Sequence, residues 1–254
     1  MNKKILLIGL SLSSLCYAID IANLNQAVNI AGKQRMYTQR MLKDYAMVGM
    51  NNTFGNPAAD LNQTISDFDE HLESLIAYNQ DDKTAKALQD VKAKWLVVKK
   101  DLQTAPKKEN VEKLQLMLDE LLHLADEATK AFAAQSSEKS GEIINISGRQ
   151  RMLSQRMAGL YMLKVWGVED PQFRTKLDDA MKLFSESLEV LAKYDKNTKE
   201  INDLLAKVKR SYRFFEMMNK SSQRFIPTLI YKKSNDILRD MNEITNKYTQ
   251  LNTK

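Results

Sequence analysis

The sequence predicts an all-α protein built as two tandem antiparallel four-helix bundles that form a pseudo-two-fold pair. Glycine and proline are scarce, at 8 and 4 among 254 residues, whereas 43% of the residues are apolar and 28% are charged. This composition favours long amphipathic helices over sheets or disorder. The second half of the chain also repeats the first half at an offset of 116 residues. Such a repeat indicates two copies of one structural unit.

The repeat is clearest in a thirteen-residue motif, which we name the box. The box reads NIAGKQRMYTQRM at 29–41 and NISGRQRMLSQRM at 145–157, with nine identical positions. The same register continues without a gap well beyond the box, where Phe68 aligns with Phe184. Chance does not maintain an alignment over that length, so each box lies near the beginning of one copy.

Prolines divide each copy into four segments. Proline fits the first turn of a helix but not its interior, so Pro57, Pro106, Pro171 and Pro227 are predicted to mark the beginnings of helices. Between them apolar residues recur at helical spacing. We therefore predict eight helices, in chain order at about 20–50, 57–79, 83–104, 107–135, 139–167, 171–194, 197–223 and 227–251.

The apolar stripes support these helices one by one. The first helix of each copy carries the box, and its Ile30, Tyr37 and Met41 share one face at 100° per residue. In the third helix of each copy we expect Trp95 and Tyr212 to pack in the bundle core. The stripes of the second and fourth helices consist of Leu61, Ile65, Phe68, Leu72, Leu75 and Ile76, and of Leu114, Met117, Leu118, Leu121, Leu122 and Ala125.

Residues 1–18 have the pattern of a secretory signal, with a basic start, an apolar stretch and a small-residue exit at Ala18. The apolar stretch is shorter than the roughly 20 residues that span a bilayer. We expect cleavage after Ala18 and a periplasmic protein without cysteine. Lipid attachment at Cys16 is the alternative, although Leu15 before it is a poor fit to the small residue required there.

The predicted domains follow from the repeat. The first copy is expected at 19–135, a linker at 136–141, and the second copy at 142–254. A helix that runs through the linker is the alternative.

The positive charge is concentrated in the boxes. The chain carries 38 basic and 32 acidic residues, a net charge of +6 that would ordinarily suggest nucleic acid or an anionic membrane as partner. Each box, however, holds three cations and no acid, so the remainder of the mature chain is slightly acidic. A nucleic acid needs basic residues spread along a face or groove. We therefore exclude nucleic acid as a partner.

The box also carries the candidate binding residues. A glycine within a helix costs roughly 1 kcal/mol relative to alanine, so Gly32 and Gly148 indicate the close approach of a helix or ligand. Arg35 and Arg151 follow one turn later on the same face, and a guanidinium presents planar donors that suit an oxyanion. We predict that this face points away from its own bundle and that the four residues bind the ligand. Further candidates on or beside this face are Asn29, Met36, Gln39, Arg40, Asn145, Met152, Gln155 and Arg156.

Both boxes resemble the nitrate-sensor box of NarX-like and PilJ-like sensor domains. That resemblance implies a four-helix bundle for each copy, with the box on its first helix and an anion held between two paired box helices. The implied ligands are the box arginine and glycine, which are Arg35 and Gly32 in copy one, and Arg151 and Gly148 in copy two. The glutamine before each box arginine is closer to the pilus-receptor variety. Tandem copies suggest an intramolecular version of the family homodimer.

Two functions are consistent with these observations. The first is an exported protein that clamps a small oxyanion, with nitrate and nitrite as leading candidates, and signals to a membrane receptor or kinase. The alternative is a periplasmic helical interaction module of a chemoreceptor or pilus system, with no small-molecule ligand. Association with a second copy of the chain stays open in either case.

An enzyme is not expected, and neither is a cofactor or a metal. Glu120 and His123 have the Glu-x-x-His spacing of bundle di-iron sites, but such a site needs two of these motifs. We interpret His71 and His123 as surface or capping residues. The sequence shows no nucleophile paired with a base and no glycine-rich phosphate loop.

Overall fold

The computed structural model describes residues 19–135, 139–220 and 226–251. The predicted signal at 1–18, including Cys16, lies outside these described residues. So do residues 136–138 of the predicted linker, whereas the last linker positions belong to a helix.

The all-α prediction is confirmed, because the described residues form eight helices and no strand. Each predicted helix is present within a few residues of its expected bounds. The helices are α1 (Leu24–Gly49), α2 (Pro57–Tyr78), α3 (Asp82–Leu102), α4 (Lys108–Ala134), α5 (Lys139–Val165), α6 (Phe173–Ala192), α7 (Lys199–Lys220) and α8 (Pro227–Leu251).

The prolines mark helix beginnings less uniformly than predicted. Pro57 and Pro227 are the first residues of α2 and α8. Pro106 and Pro171 lie two positions before the first residues of α4 and α6, just outside the helices whose beginnings they were predicted to mark. Proline restricts the residue before it to extended backbone, so these two prolines shape the connection rather than the first helical turn.

The two copies form equivalent bundles that meet along their box helices. In copy one α1 packs against α2 and α4, and α3 packs against α4; in copy two α5 packs against α6 and α8, and α7 against α8. The most extensive packing between helices of the described chain is that of α1 against α5. The two boxes therefore lie side by side rather than at opposite ends of the molecule.

Aromatic pairs occupy matching places in the two cores. Trp95 is buried and stacks on Phe68 with 4.2 Å between ring centroids. Tyr212 is buried and stacks on Phe184 with 4.6 Å between ring centroids. The predicted core positions of Trp95 and Tyr212 are thus confirmed.

The interpretation of His71 as a surface or capping residue is wrong. Its side chain is buried in copy one and lies 5.3 Å from the ring of Tyr37. Burial lowers the pKa of His71 to about 3, because the imidazolium would lose its hydration there. His71 is therefore a neutral core residue at physiological pH, whereas His123 is exposed as expected.

The C-terminal ends of the two box helices are in direct contact. Trp166 follows α5 and its ring covers Gly49, the last residue of α1. A Cβ atom at Gly49 would lie 2.2 Å from Cζ2 of Trp166. Only glycine therefore allows the indole to sit against this turn.

Replacing Gly49 by alanine tests this contact. We expect Gly49→Ala to lower the free energy of unfolding by roughly 1 to 3 kcal/mol, the usual cost of overpacking, and to alter the tryptophan fluorescence. Urea denaturation followed by fluorescence measures both quantities.

The matched control is Gly159→Ala within α5. A Cβ at Gly159 would meet the carbonyl oxygen of Gln39 at 3.6 Å, an ordinary contact. Alanine is the better helix former by roughly 1 kcal/mol, so this variant should be as stable as the wild type or more so. Equal stability losses in the two variants would contradict the described packing.

Candidate functional site

The box helices form an internal seam, which we define as the contact between 29–41 of α1 and 145–157 of α5. The apolar face of each box packs into its own bundle, as predicted. The opposite face, which points away from that bundle, is covered by the other box rather than by solvent. The side chains of Arg35 and Arg151 are accordingly 1% and 0% exposed.

The two arginines cross the seam reciprocally. Nη2 of Arg35 donates a hydrogen bond of 3.3 Å to the carbonyl oxygen of Asn145. Nη2 of Arg151 donates one of 3.1 Å to the carbonyl oxygen of Asn29. The two bonds are equivalent under the repeat, and they staple α1 to α5.

The box glycines make room for this arrangement. A Cβ at Gly32 would lie 3.3 Å from Nη2 of both Arg35 and Arg151, and a Cβ at Gly148 would lie 3.4 Å and 3.0 Å from the same two atoms. A side chain at either glycine would therefore crowd both guanidinium groups. The structure thus brings all four predicted ligand-binding residues to one place.

Polar side chains of each box fix the helices that carry the arginines. Nε2 of Gln34 donates to the carbonyl oxygen of Phe68 at 3.2 Å, and Nε2 of Gln150 donates to that of Phe184 at 2.9 Å. One hydroxyl of each box likewise donates to the arginine's own carbonyl oxygen, as Ser154 does to Arg151 at 2.8 Å. The polar residues are the same in both boxes because they make the same bonds.

One difference breaks the symmetry of the site. Nη1 of Arg35 forms an ion pair of 2.6 Å with Asp126 of α4. Nη1 of Arg151 instead contacts the amide oxygens of Asn29 at 2.9 Å and Asn242 of α8 at 3.2 Å. Asp126 and Asn242 occupy the same repeat position. Among the described residues, no carboxylate forms an ion pair with Arg151.

The electrostatics follow from this difference. Burial lowers the pKa of Arg151 to about 9, and the neighbouring charge of Arg35 lowers it further. Burial also lowers the pKa of Arg35, but Asp126 opposes that shift. Removing an unpaired cation from water costs several kcal/mol. Arg151 is therefore the position in the seam where an added anion would relieve the largest electrostatic cost.

The remaining candidates of copy one surround the arginines. Met36 is buried, and Nδ2 of Asn29 donates to Asn246 of α8 at 3.0 Å. Gln39 is buried, and its Oε1 accepts a long hydrogen bond of 3.4 Å from Nη1 of Arg156. Arg40 does not join the arginine pair, because it forms an ion pair of 3.1 Å with Asp60.

The candidates of copy two are placed similarly. Met152 is 9% exposed, and the carbonyl oxygen of Asn145 accepts from Arg35. Gln155 accepts a bond of 2.8 Å from Lys43, and Arg156 forms an ion pair of 2.8 Å with Asp119.

The expectation of two purely basic patches is wrong in three dimensions. The boxes themselves contain no acid, but three of the box arginines each form an ion pair with an acid from another helix. These acids are Asp60, Asp119 and Asp126.

A second charged cluster lies beside the seam, and the sequence did not predict it. Lys43 is fully buried, and its Nζ donates to Gln155 at 2.8 Å and to Asn235 at 2.7 Å. Asp44 is also fully buried, with carboxylate oxygens 3.5 Å from Nζ of Lys43 and 3.6 Å from Nε of Arg40. The only signal in the sequence is a difference between copies, because copy two has Gly159 and Leu160 at these positions.

Burial dominates the titration of this cluster. It raises the pKa of Asp44 to about 6, although Lys43 and Arg40 oppose the shift. It lowers the pKa of Lys43 to about 8 against the attraction of Asp44. Because both side chains are buried, both pKa values lie closer to neutral pH than those of exposed aspartate and lysine side chains.

Comparison with protein families decides the relationship of the chain. The family model for PilJ, the type IV pili methyl-accepting chemotaxis transducer N-terminal domain, matches residues 21–121 and 132–225. The chain belongs to the PilJ family. The predicted tandem pair of PilJ-like domains is therefore confirmed. No curated protein and no solved structure matches the chain.

The PilJ match identifies a sensory and signalling type of helical module. In the part of the chain that the structure describes, three or more metal-ligating side chains do not cluster anywhere. Glu120, which the Glu-x-x-His spacing singled out, forms an ion pair with Lys94. Across 19–135, 139–220 and 226–251, every helix is too short or too polar to cross a membrane.

Removing the carboxylate beside Arg35 tests the balance of charge in the seam. We expect Asp126→Asn to lower the free energy of unfolding by roughly 2 kcal/mol. This is less than the 3 to 5 kcal/mol typical of a fully buried pair, because Asp126 is 24% exposed. Urea denaturation at neutral pH measures the loss.

The control is Asp203→Asn, which removes an ion pair with Lys199 on the solvent face of α7. Exposed pairs contribute little, so this variant should unfold with the wild type. An Asp126→Asn variant as stable as this control would show that Arg35 does not need its carboxylate.

The buried cluster predicts a pH dependence. Because the pKa of Asp44 rises from its ordinary 3.8 to about 6 on folding, the folded protein keeps a proton that the unfolded chain releases. The contribution of Asp44 to stability is therefore greatest near pH 4 and decreases as the pH rises to 6, by roughly 2 to 3 kcal/mol for two pKa units.

Asp44→Asn should remove this contribution. We would measure urea unfolding of both proteins from pH 4 to 8 and take the difference between them, which cancels the carboxyl groups they share. A difference that stays constant between pH 4 and 6 would contradict the raised pKa.

Proposed function

We propose that this PilJ-family chain is a periplasmic sensory module that signals by contacting a membrane partner of a chemotaxis or pilus system. The observation that carries the proposal is that both box helices pair within one chain. The unit that the family resemblance places in a homodimer is thus assembled from two tandem copies. The secretory pattern at 1–18 is consistent with a periplasmic location.

The partner must be reached through surfaces other than the boxes. The boxes were one candidate for a helix-packing contact with a receptor, but their faces are buried against each other. Apolar side chains are instead exposed on the outer helices, with Val97 of α3 at 53% and Leu116 of α4 at 65% exposure. Ion pairs of Lys94 with Glu120 and of Asp101 with Lys113 hold this part of α3 beside this part of α4. Exposed apolar residues are typical of contact sites where they lie together.

Photo-crosslinking in cells tests this proposal. A photoreactive amino acid at Leu116 should crosslink the protein to a membrane protein with a chemotaxis signalling domain or to a pilus component. The matched control is the same amino acid at Met36, which is 2% exposed and should give no intermolecular product. Crosslinks at neither Leu116 nor Val97 to a protein of these classes would refute the proposal.

A second candidate function is supported by Arg151. This buried cation has only amide and carbonyl partners in the described chain, and it converges with Arg35 over the two box glycines. Asp126 already offsets the charge of Arg35, so the site carries one uncompensated positive charge. We propose that a small planar monoanion, with nitrate and nitrite as leading candidates, binds between the two guanidinium groups.

Exchange of the residues beside the arginines tests anion binding without removing either arginine. Asn242→Asp gives Arg151 the carboxylate that Arg35 has, so it should weaken nitrate binding at least tenfold, since a hydrogen bond to a charged group contributes roughly 1.5 to 3 kcal/mol. Asp126→Asn should strengthen binding. Calorimetric titration with nitrate, nitrite and chloride measures the affinities.

The control variant is Asn62→Asp, the same chemical change on the exposed face of α2. It should leave the affinity unchanged. Absence of nitrate and nitrite binding by both the wild type and Asp126→Asn would refute the anion site while leaving the partner proposal standing.

A further inference from the structure

A groove of about 550 Å³ lies between α4 of copy one and α6 of copy two, with α5 as its floor. Its volume is within the range of about 300 to 1,000 Å³ that small-molecule sites occupy. It is distinct from the converged arginines, although Asp126, the partner of Arg35, also lines it.

The groove has an apolar lining to which all three helices contribute. Leu122 of α4, Met152 and Leu153 of α5, and Ala180 and Leu183 of α6 line it together. Leu183 is 38% exposed although it belongs to a bundle helix. This apolar lining could remove the hydrocarbon part of a ligand from water, which contributes roughly 0.8 kcal/mol for each buried methylene group.

The groove also contains an unpaired cation. Arg149 is half-buried there and forms no ion pair or hydrogen bond with any residue of the described ranges. The other cations of the groove are occupied, Arg156 by Asp119 and Lys176 by Asp170. Within the described chain, the Arg149 guanidinium is therefore without a partner and lies beside the apolar lining of the groove.

The acids of the groove do not neutralise Arg149. Asp119 is bound to Arg156, and Asp126 is shared by Arg35 and Lys130. Asp179 is exposed at the rim and has no ion-pair partner in the described chain. Of the charged groups that line the groove, Arg149 and Asp179 are thus the two without an ion-pair partner among the described residues.

These features are specific to one half of the molecule. At the matching positions of copy one, Leu183 is replaced by Asp67, Ala180 by Thr64, and Leu153 by Tyr37. The cation at the position of Arg149 is Lys33, and Asp67 lies near enough to it to oppose the lowering of its pKa. The apolar lining and the arginine beside it are therefore not a necessary result of the repeated fold.

We propose that the α4–α6 groove binds a small carboxylate joined to an apolar chain. The Arg149 guanidinium receives the carboxylate as a planar, two-pronged partner, and the chain lies against Leu122, Met152 and Leu183. Two sources share this chemistry, a short fatty acid and an apolar α-amino acid. The ammonium group of an amino acid would face Asp179, which distinguishes the two.

Calorimetric titration of the whole mature protein tests this site with hexanoate and with leucine as probes. At least one of them should bind. Acetate lacks the apolar chain and hexanamide lacks the charge, so each should bind at least tenfold more weakly than hexanoate if the fatty acid is the ligand. Binding of leucine that weakens with Asp179→Asn would identify the amino acid class.

Variants locate the site. Arg149→Gln removes the charge but keeps a polar side chain, and it should reduce affinity at least tenfold, as expected for loss of a charged hydrogen bond. Leu183→Asp installs the residue of copy one and should do the same. Arg174→Gln, on the exposed face of α6, is the control and should leave affinity unchanged.

Two results would overturn the proposal. One is the absence of heat with both hexanoate and leucine, measured on wild-type protein so that folding of a variant is not at issue. The other is binding that Arg149→Gln and Leu183→Asp both leave intact while circular dichroism shows them folded. Because nitrate is proposed to bind between Arg35 and Arg151, and neither arginine lines the groove, either result is independent of the anion site.

Discussion

The burial of two guanidinium groups against each other is the constraint on which the rest of the seam depends. Like charges in a medium of low dielectric repel strongly, and each also loses its hydration. The fold tolerates Arg35 and Arg151 because each donates to a carbonyl oxygen of the opposite helix. Each also has a side-chain partner, which is the Asp126 carboxylate for Arg35 and the amide oxygens of Asn29 and Asn242 for Arg151. The glycine one turn earlier allows this approach, and the box glutamine fixes the helix to its own bundle. The polar identity of the box thus has a structural cause.

Much of the fold could be predicted from local patterns. Helical spacing of apolar residues and four prolines gave all eight helices, and the glycine three residues before each arginine indicated a close contact. These features act within a few turns of one helix. The partners of the arginines were not predictable in the same way, because Asp126 and Asn242 lie about ninety residues from Arg35 and Arg151. Helix spacing places a residue on a face but does not say which distant helix covers it.

Buried charge was also missed for a physical reason. Lys43 and Asp44 are adjacent in sequence and would ordinarily be assigned to a solvated face, since such residues are rarely buried without partners. Here amide oxygens of Gln155 and Asn235 accept hydrogen bonds from the Lys43 ammonium, and the Asp44 carboxylate lies beside Lys43 and Arg40. Comparison of the copies is the signal that could have identified them. Positions at which two repeats differ in charge are the positions at which one half has acquired its own chemistry.

The tandem arrangement has a kinetic and thermodynamic consequence. Two separate chains that shared this seam would associate by mass action, so the fraction paired would vary with expression level and dilution. Here a connection of four residues between α4 and α5 holds the box helices in one chain. The local concentration of one box around the other is then set by the tether, at millimolar or above for a short connection. The seam therefore forms with first-order kinetics. The fraction of molecules in which the two boxes are paired does not depend on how many copies of the protein a cell contains.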